Sequence, residues 1–348
     1  MTIFLLPYLR FKSISLFQNY LNNRKHRTLV NNIISDPLTQ THGICQGSIL
    51  GPLTFLLYIN DIGFSIKKCN YKLFADDTVI YSSDDNIDTS IKNLNDDLKS
   101  VNEWCKDNNM AINIKKTKSM VFGRKNKTRK CKKIVLNLEN KAISQTKLYK
   151  YLGVTLDENL TYNCHINQIL KNANHKLYLL RRNRKFLTTD SAILLYKSHI
   201  LPILEYGSTI FMEANSKHLD RLQTTQNSGL KSCLEASKYT STNIIHKKAK
   251  LNKLVERREI QLLKDMFKRS QNSNYLVKKT TGIVTRSMSS VKLKVPHYLN
   301  SQAQKAIMYR GSNAWNSQHK SIKDIKNQHI FNLKMKEILR KKLSEYNV

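Results

Sequence analysis

Two β-prone runs, Tyr71–Ala75 and Thr78–Ser82, are separated by only Asp76 and Asp77. Both runs are rich in aromatic and β-branched side chains, and so short a gap leaves room for little besides a tight hairpin. The spacing predicts a two-stranded turn with both carboxylates at its tip. An Asp-Asp pair is also a common turn, solvated and inert. The flanks weigh against that reading, because Phe74-Ala75 and Thr78-Val79-Ile80 are apolar enough to anchor both strands in a core. Two carboxylates fixed on a rigid element offer the hard oxygen ligands that phosphoryl transfer by divalent ions requires.

Upstream, Gln46-Gly47-Ser48-Ile49-Leu50-Gly51-Pro52-Leu53 leads into a nearly all-apolar stretch, Leu50 to Ile62, that reads as a buried helix entered at Pro52. Two glycines and a serine before a helix let a nucleotide approach the backbone closely, although the same string alone is an ordinary glycine-containing loop. Residues 8–35 read as a helix and then turns, with Leu9, Phe11, Ile14, Phe17 and Leu21 as the helix stripe. Ile91, Leu94, Leu98, Val101 and Cys105, with Trp104 beside them, predict an amphipathic helix. Short strands are predicted at Met110–Ile114, Ser119–Phe122, Ile134–Leu138 and Tyr149–Leu156, which makes an α+β sheet domain ending near residue 160. From 161 to about 235 the pattern turns helical. Ile166, Ile169, Leu170, Ala173, Leu177 and Leu180 share one face, and Ile193, Leu194, Tyr196, Ile200 and Leu204 predict a second helix bent at Pro202. The remainder is lysine-rich and weakly patterned, with helices near Glu256–Phe267 and Ile330–Tyr346.

Charge divides the 348 residues unevenly. The formal net charge is +34, from 59 basic and 25 acidic side chains, yet residues 1–110 hold 11 of each. The whole excess lies beyond residue 110, including runs at Lys115 to Lys118, Arg124 to Lys133, Arg181 to Lys185, Lys247 to Arg258 and Arg340 to Lys342. A neutral front and a strongly basic back point to a polyanionic partner, with nucleic acid the default; an acidic protein or an anionic membrane surface is compatible with charge alone. The six cysteines are scattered without a CxxC, which fits reduced thiols rather than a disulfide framework or a zinc site, and Cys164-His165 reads as the start of a helix. The opening MTIFLLPYLRFK has a short apolar run broken by Pro7 and no cleavage site, and no stretch reaches a membrane-spanning length. The expectation is a soluble intracellular protein of the nucleus or cytoplasm, with no membrane partner.

The string QGSILGPLTFLLYINDI followed by LFADDT resembles the reverse transcriptases of non-LTR, LINE-like retrotransposons, the jockey group in particular. Further segments follow in that family's order. Asn113-Ile114-Lys115-Lys116-Thr117-Lys118 resembles the lysine-bearing strand after the catalytic hairpin, and Tyr151-Leu152-Gly153-Val154-Thr155-Leu156-Asp157 resembles the primer grip. Leu195-Tyr196-Lys197 through Pro202-Ile203-Leu204-Glu205-Tyr206-Gly207 resembles the thumb-side helix, and Tyr309-Arg310-Gly311 with Ala314-Trp315-Asn316-Ser317 a tail common in these elements. The resemblance implies a partial right-hand polymerase. Residues 1–35 would be a remnant of the fingers/palm connection, 36–160 a palm sheet on packed helices, 161–235 a helical thumb and 236–348 a basic helical C-terminal region.

The resemblance also implies roles, position by position. Asp76 would ligate two catalytic Mg2+ ions, with Asp77 its less direct partner. Gln46, Gly47 and Ser48 would contact template and nucleotide, and Phe74 and Ala75 would lie beside the nucleotide and primer end. Lys116 would assist at the triphosphate, although it also reads as one of many solvated lysines. Tyr151, Leu152 and Gly153 would hold the primer terminus. The implied partners are an RNA template, a DNA primer and deoxynucleotide triphosphates.

One family feature has no counterpart. The third catalytic carboxylate comes from a segment of the type D-x-x-K-A-F-D, and here Asp36 is the only acid before Asp61 and lacks those flanks. The expectation is a 5′-truncated reading frame that does not polymerise alone. The alternatives are a nucleic-acid-binding remnant without chemistry and, more weakly, a maturase-like or host-adopted palm protein.

Overall fold

The computed structural model describes residues 11–40, 43–44, 47–123, 134–276, 292–298 and 304–346. Leu9, Gln46 and the basic run 124–133, all singled out above, lie outside the described residues, as do Cys45 and Cys131 among the six cysteines. The chain divides into two compact units, residues 1–147 and 148–348.

The first unit opens with helix α1 (Phe11–Leu21), in which Phe17 is buried. The stretch expected to be turn-like is instead a β-ribbon. Strand β1 (Arg24–His26) pairs antiparallel with β4 (Leu38–Gln40), and β2 (Leu29–Val30) with β3 (Ile33–Ile34). Asn31 and Asn32, at φ 49° and 65°, form the turn. Asparagine tolerates this left-handed conformation, and two such residues match the twist of a hairpin. Helix α2 (Gly51–Ile59) starts with proline in its first turn, as expected, and continues as a 3₁₀ turn over Asn60–Ser65.

Strands β5 (Asn70–Phe74) and β6 (Asp77–Tyr81) form the predicted hairpin. Helix α3 (Ile87–Asp107) is entered through Asn86, whose side chain accepts the Asp88 N–H at 2.9 Å. Its apolar stripe serves two clusters. Val101, Cys105 and Trp104 pack with Ile59, Ile62 and Ile66 beneath the hairpin, whereas Ile91, Leu94 and Leu98 pack with Leu136, Leu138 and Ile143.

The expected sheet is reduced to short ladders. Strand β7 (Lys118–Ser119) pairs with β10 (Ser144–Gln145), and β8 (Asn137–Leu138) with β9 (Lys141–Ala142). Every sheet among the described residues is two-stranded. Residues 110–117 form no strand, because Asn113 folds them into a turn: its backbone and side-chain oxygens both accept the Lys116 N–H at 3.1 Å.

The second unit begins with β11 (Leu148–Tyr151) and β12 (Val154–Asp157), an antiparallel hairpin where a single strand was expected. Leu152 and Gly153, both at positive φ, break the run in two. Helix α4 (Asn163–Arg182) buries all six residues of its predicted face. The second predicted helix is three pieces: α5 (Thr189–Leu195), a π-helical turn over Tyr196–Ile200, and α6 (Leu201–Glu205). The distortion precedes Pro202 because a proline ring collides with the carbonyl four residues back in a regular helix. The wider turn instead sends the Leu201 N–H to Tyr196 O. Of the predicted face, Tyr196, Ile200 and Leu204 are buried, but Leu194 faces solvent.

Helix α7 (Ser216–Leu234) runs parallel to α4: Arg221 donates to Asn167 Oδ1 at 2.9 Å near one end, and Arg181 to Ser228 Oγ at 2.6 Å near the other. Helix α8 (Thr242–Ala249) falls where little pattern was visible; it is short, and Ile245, His246 and Ala249 alone bury it. Helix α9 (Leu254–Ser270) is tied to α6 by a two-pronged Arg257–Glu205 ion pair. It then packs Met266 and Phe267 against Trp315 of α10 (Ile307–Asn316) and Phe331 and Met335 of α12 (Gln328–Ser344). The short α11 (Lys320–Lys323) lies between these two.

Candidate active site

The β5–β6 register pairs Phe74 with Asp77, Leu73 with Thr78 and Tyr71 with Ile80. The turn is therefore Ala75-Asp76, and Asp77 is the first residue of the second strand rather than part of the tip, one position from the sequence expectation. Alternation along the ladder puts Tyr71, Leu73, Thr78 and Ile80 on one face and Lys72, Phe74, Asp77, Val79 and Tyr81 on the other. Leu73 and Ile80 pack on the cluster around Ile59 and Val101, and the Tyr71 hydroxyl lies where a Cβ on Gly63 would sit, so a side chain there would displace the Tyr71 ring. The outer face is open: Phe74 is 61% exposed, and Asp76 and Asp77 are exposed. Ala75 adopts φ 50°, a left-handed conformation that costs an L-residue about 1–2 kcal/mol.

The base of the hairpin is held by a residue the sequence reading did not select. Asp97 of α3, 3% exposed, accepts the backbone N–H groups of Lys67 (3.2 Å), Lys68 (2.9 Å) and Cys69 (2.7 Å), which lead into β5. Burial alone would raise its carboxyl pKa, but the three N–H bonds and the Cys69 thiol outweigh that and hold it below the usual aspartate value. The signal was an acid three residues after Leu94 and four before Val101, inside an otherwise apolar stripe. Burial, followed by the neighbouring Asp97, pushes the Cys69 thiol up to about 12. An open cleft of about 460 Å³ runs along Asn60, Asn70, Tyr71 and Tyr81, at the base of the hairpin and away from Asp76.

In the glycine loop, Gly47 takes φ 76°. Ser48 Oγ accepts the Gly51 N–H at 3.0 Å and bonds the Tyr20 hydroxyl, so this side chain secures the start of α2. Lys116 is exposed in the Asn113 turn, not on a strand. Neither Asp76 nor Asp77 shares a hydrogen bond or ion pair with these residues among the described ones.

Asp76 and Asp77 have the right donor chemistry for a hard cation, but they are only two. Among the described residues no third Asp, Glu, His or Cys joins them in a metal-holding group. The described residues do not by themselves complete the two-ion site that the resemblance implies.

In the second unit, Leu152 and Gly153 form the β11–β12 turn, at φ 44° and 83°, and Tyr151 is the last residue of β11, paired with Val154. The Tyr206 hydroxyl donates to Leu152 O at 2.7 Å, and its ring lies over Gly153, 2.8 Å from where a Cβ would stand. Two segments that the sequence singled out separately, Tyr151–Asp157 and Leu204–Gly207, are thus in direct contact. At the foot of this hairpin, His165 Nδ1 accepts the Thr155 N–H at 3.3 Å, while its Nε2 is buried with no hydrogen-bond partner among the described residues. Burial, aided by Lys150, holds its pKa below 6.5.

A family model described as Reverse transcriptase (RNA-dependent DNA polymerase) matches residues 5–156. Over 301 residues the chain is 27% identical to an RNA-directed DNA polymerase from mobile element jockey of Drosophila melanogaster, covering 81% of this chain and 32% of that protein. It is 29% identical over 244 residues to a probable RNA-directed DNA polymerase from transposon X-element of the same fly, covering 68% and 26%. A third relative, from transposon BS, is 26% identical over 249 residues, covering 69% and 27%. The chain spans 32% or less of the length of these curated relatives. Both the Asp76 hairpin and the Leu152–Gly153 turn fall inside the segment that matches the reverse transcriptase model, and the chain as a whole is similar to RNA-directed DNA polymerases of the jockey, X-element and BS mobile elements.

Proposed function

We propose that the chain supplies the palm hairpin, primer-holding turn and helical thumb of a right-hand RNA-directed DNA polymerase, and that alone it binds primed template without extending it. The observation that carries this is the hairpin: Asp76 and Asp77 stand exposed at the end of a two-stranded element that rests on a core through the half-buried Leu73 and Ile80. In the complete reaction a primer 3′-hydroxyl attacks the α-phosphorus of a deoxynucleotide triphosphate, and pyrophosphate leaves. In this reading Phe74 and Ala75 border the nucleotide. The Gln46-Gly47-Ser48 loop lies against template and nucleotide, and Lys116 offsets charge on the triphosphate. The Tyr151-Leu152-Gly153 segment, latched by Tyr206, positions the primer end.

Two carboxylates do not bind and bridge two cations, so the third ligand has to reach Asp76 from outside the described residues. Binding needs no such completion. The basic excess beyond residue 110 matches a phosphate backbone, whose neutralisation releases counterions.

Two measurements test the reading. Purified chain given primed RNA, deoxynucleotides and Mg2+ is expected to leave the primer unextended; clear extension, abolished by Asp76→Asn, overturns the claim of inactivity. Filter binding of the same primed duplex is expected to weaken steeply between about 50 and 200 mM salt. A flat response removes nucleic acid as the partner.

A further inference from the structure

The parallel packing of α4 and α7 brings their C-terminal ends together, and the surface built there differs from the rest of the unit. Three large aromatic side chains stand in solvent: Tyr178 is 59% exposed, Phe186 75% and Tyr239 83%. Apolar rings are ordinarily the first groups a fold buries, and here the backbone beneath them is fixed. Arg181 donates to Ser232 Oγ at 3.0 Å and Ser228 Oγ at 2.6 Å, which ties α4 to α7. Arg184 donates through Nε to the carbonyls of Ser232 and Cys233, at 3.2 and 3.1 Å, and through Nη1 to Leu187 O at 2.5 Å. These bonds fasten the 3₁₀ turn Arg184–Phe186 to the end of α7. Lys231 reaches the Lys238 carbonyl at 2.5 Å and pins the loop carrying Tyr239. The rings are presented by rigid elements, not by loose chain.

The charge around them is mostly positive. Residues 159–189 contain six Lys and Arg and no acid. Arg182 lies one helical turn from Tyr178 on the exposed side of α4. Lys185 Nζ stands 4.9 Å from the centre of the Phe186 ring, and Lys238 Nζ the same distance from that of Tyr239. The acids of this end are Glu235, which faces Arg184 at 3.5 Å, and Asp190, in the first turn of α5. Exposed flat rings interleaved with cations suit a strand whose bases are unpaired. Each base stacks on a ring and each phosphate meets a cation, whereas a duplex offers only its backbone to such rings. An anionic membrane would reward a continuous apolar face, and here two of the three rings have a cation 4.9 Å from the ring centre and the third has an exposed arginine one helical turn away.

We propose that Tyr178, Phe186 and Tyr239, with Arg182, Lys185 and Lys238, form a binding surface for single-stranded nucleic acid at the shared end of α4 and α7. It holds RNA or DNA lying outside any primed duplex. The site has in common with the proposed function only that the partner is nucleic acid, and it requires neither Asp76 nor polymerisation.

The test uses the full chain and fluorescence anisotropy with labelled 20-mers, oligo(dT), oligo(rU) and a blunt RNA–DNA duplex, at one salt concentration. Replacing all three rings (Tyr178→Ala, Phe186→Ala, Tyr239→Ala) is expected to weaken binding of both single strands at least thirtyfold and duplex binding less than threefold. The rings are exposed, so an unchanged circular dichroism spectrum is expected and confirms that the fold persists. Replacing the cations (Arg182→Ala, Lys185→Ala, Lys238→Ala) is expected to lower the salt slope for single strands by about 2, at roughly 0.7 per phosphate contact. Unchanged single-strand affinity in the ring variant overturns the proposal. Wild-type binding of duplex without single strands overturns it while leaving the proposed function intact, and failure to bind either removes both.

Discussion

Gly153→Ala is a sharp test of the β11–β12 turn, because two costs coincide at one atom. At φ 83° an L-residue is strained by about 1–2 kcal/mol relative to glycine. The added Cβ would also stand 2.8 Å from Tyr206 Cε1 and 3.2 Å from its hydroxyl oxygen, both inside contact distance. Tyr206 is 59% exposed, so its ring can swing away, but doing so gives up the 2.7 Å bond from its hydroxyl to Leu152 O, worth about 0.5–1.5 kcal/mol. The expected total is about 2–3 kcal/mol, and Tyr206→Phe alone should lose only the hydrogen-bond part, about 1 kcal/mol. In Gly153→Ala with Tyr206→Ala the collision is gone and the bond is lost only once. The double variant should therefore be less destabilised than the two single changes predict together. Urea unfolding of the second unit gives the energies, and hydrogen exchange of the Tyr149–Leu156 amides shows whether the loss is local. A Gly153→Ala chain within 0.5 kcal/mol of the parent, or strict additivity, would refute the contact and the turn geometry together.

Three further outcomes follow from the buried polar groups. Asp97→Ala leaves three backbone N–H donors near β5 without their acceptor and should destabilise the first unit by about 3–5 kcal/mol, seen as loss of amide protection at Lys67, Lys68 and Cys69; near-parent protection would contradict the anchoring. Burial pushes the Cys69 and Cys233 thiols up, to about 12 and 11, and Cys105 is also raised, while Cys164 is exposed. Of these four, Cys164 alone should react with an aromatic disulfide reagent at pH 8 before denaturant is added. Burial also holds His165 and His246 below 6.5, so below that pH the unfolded chain takes up protons the folded chain refuses. Stability should fall with acidification from about pH 6.5, by up to about 1.4 kcal/mol per pH unit for each histidine, and a flat profile between pH 7 and 5 would refute the assignment.

How far the sequence could be read depended on how much of each signal was local. The face of α4 was legible to the residue, since seven buried positions in 20 residues leave a clear helical period. The β5–β6 hairpin was legible in kind but not in register, because a two-residue offset and a one-residue shift look alike when every neighbour is β-prone. Leu152-Gly153 hid a turn inside what read as one strand: the apolar run continues through it, and only the glycine marks the positive φ. Met110–Ile114 read as a strand from its isoleucines, whereas Asn113 sets a turn there through bonds that no period reveals. Helix α8 and the contact of Tyr206 with Leu152 depend on partners far away in sequence and left no local trace.

Asp97 and Ala75 together explain why the hairpin is more than a connection. A solvated turn needs no anchor, yet here a buried carboxylate takes up three N–H groups at the base, Leu73 and Ile80 are committed to the core, and Gly63 makes room for Tyr71. Those constraints all lie on the inner face or at the base. At the tip the backbone does the opposite and spends stability: Ala75 stays in the left-handed region where glycine would be unstrained. Strain of that kind persists only where the surrounding structure over-determines the conformation. The base of β5 provides the over-determination, and what the strained turn holds out is Asp76, with Asp77 and Phe74 beside it on the open face. The tip therefore leaves both carboxylates exposed, while the base beneath them is held by Asp97 and by the packing of Leu73 and Ile80.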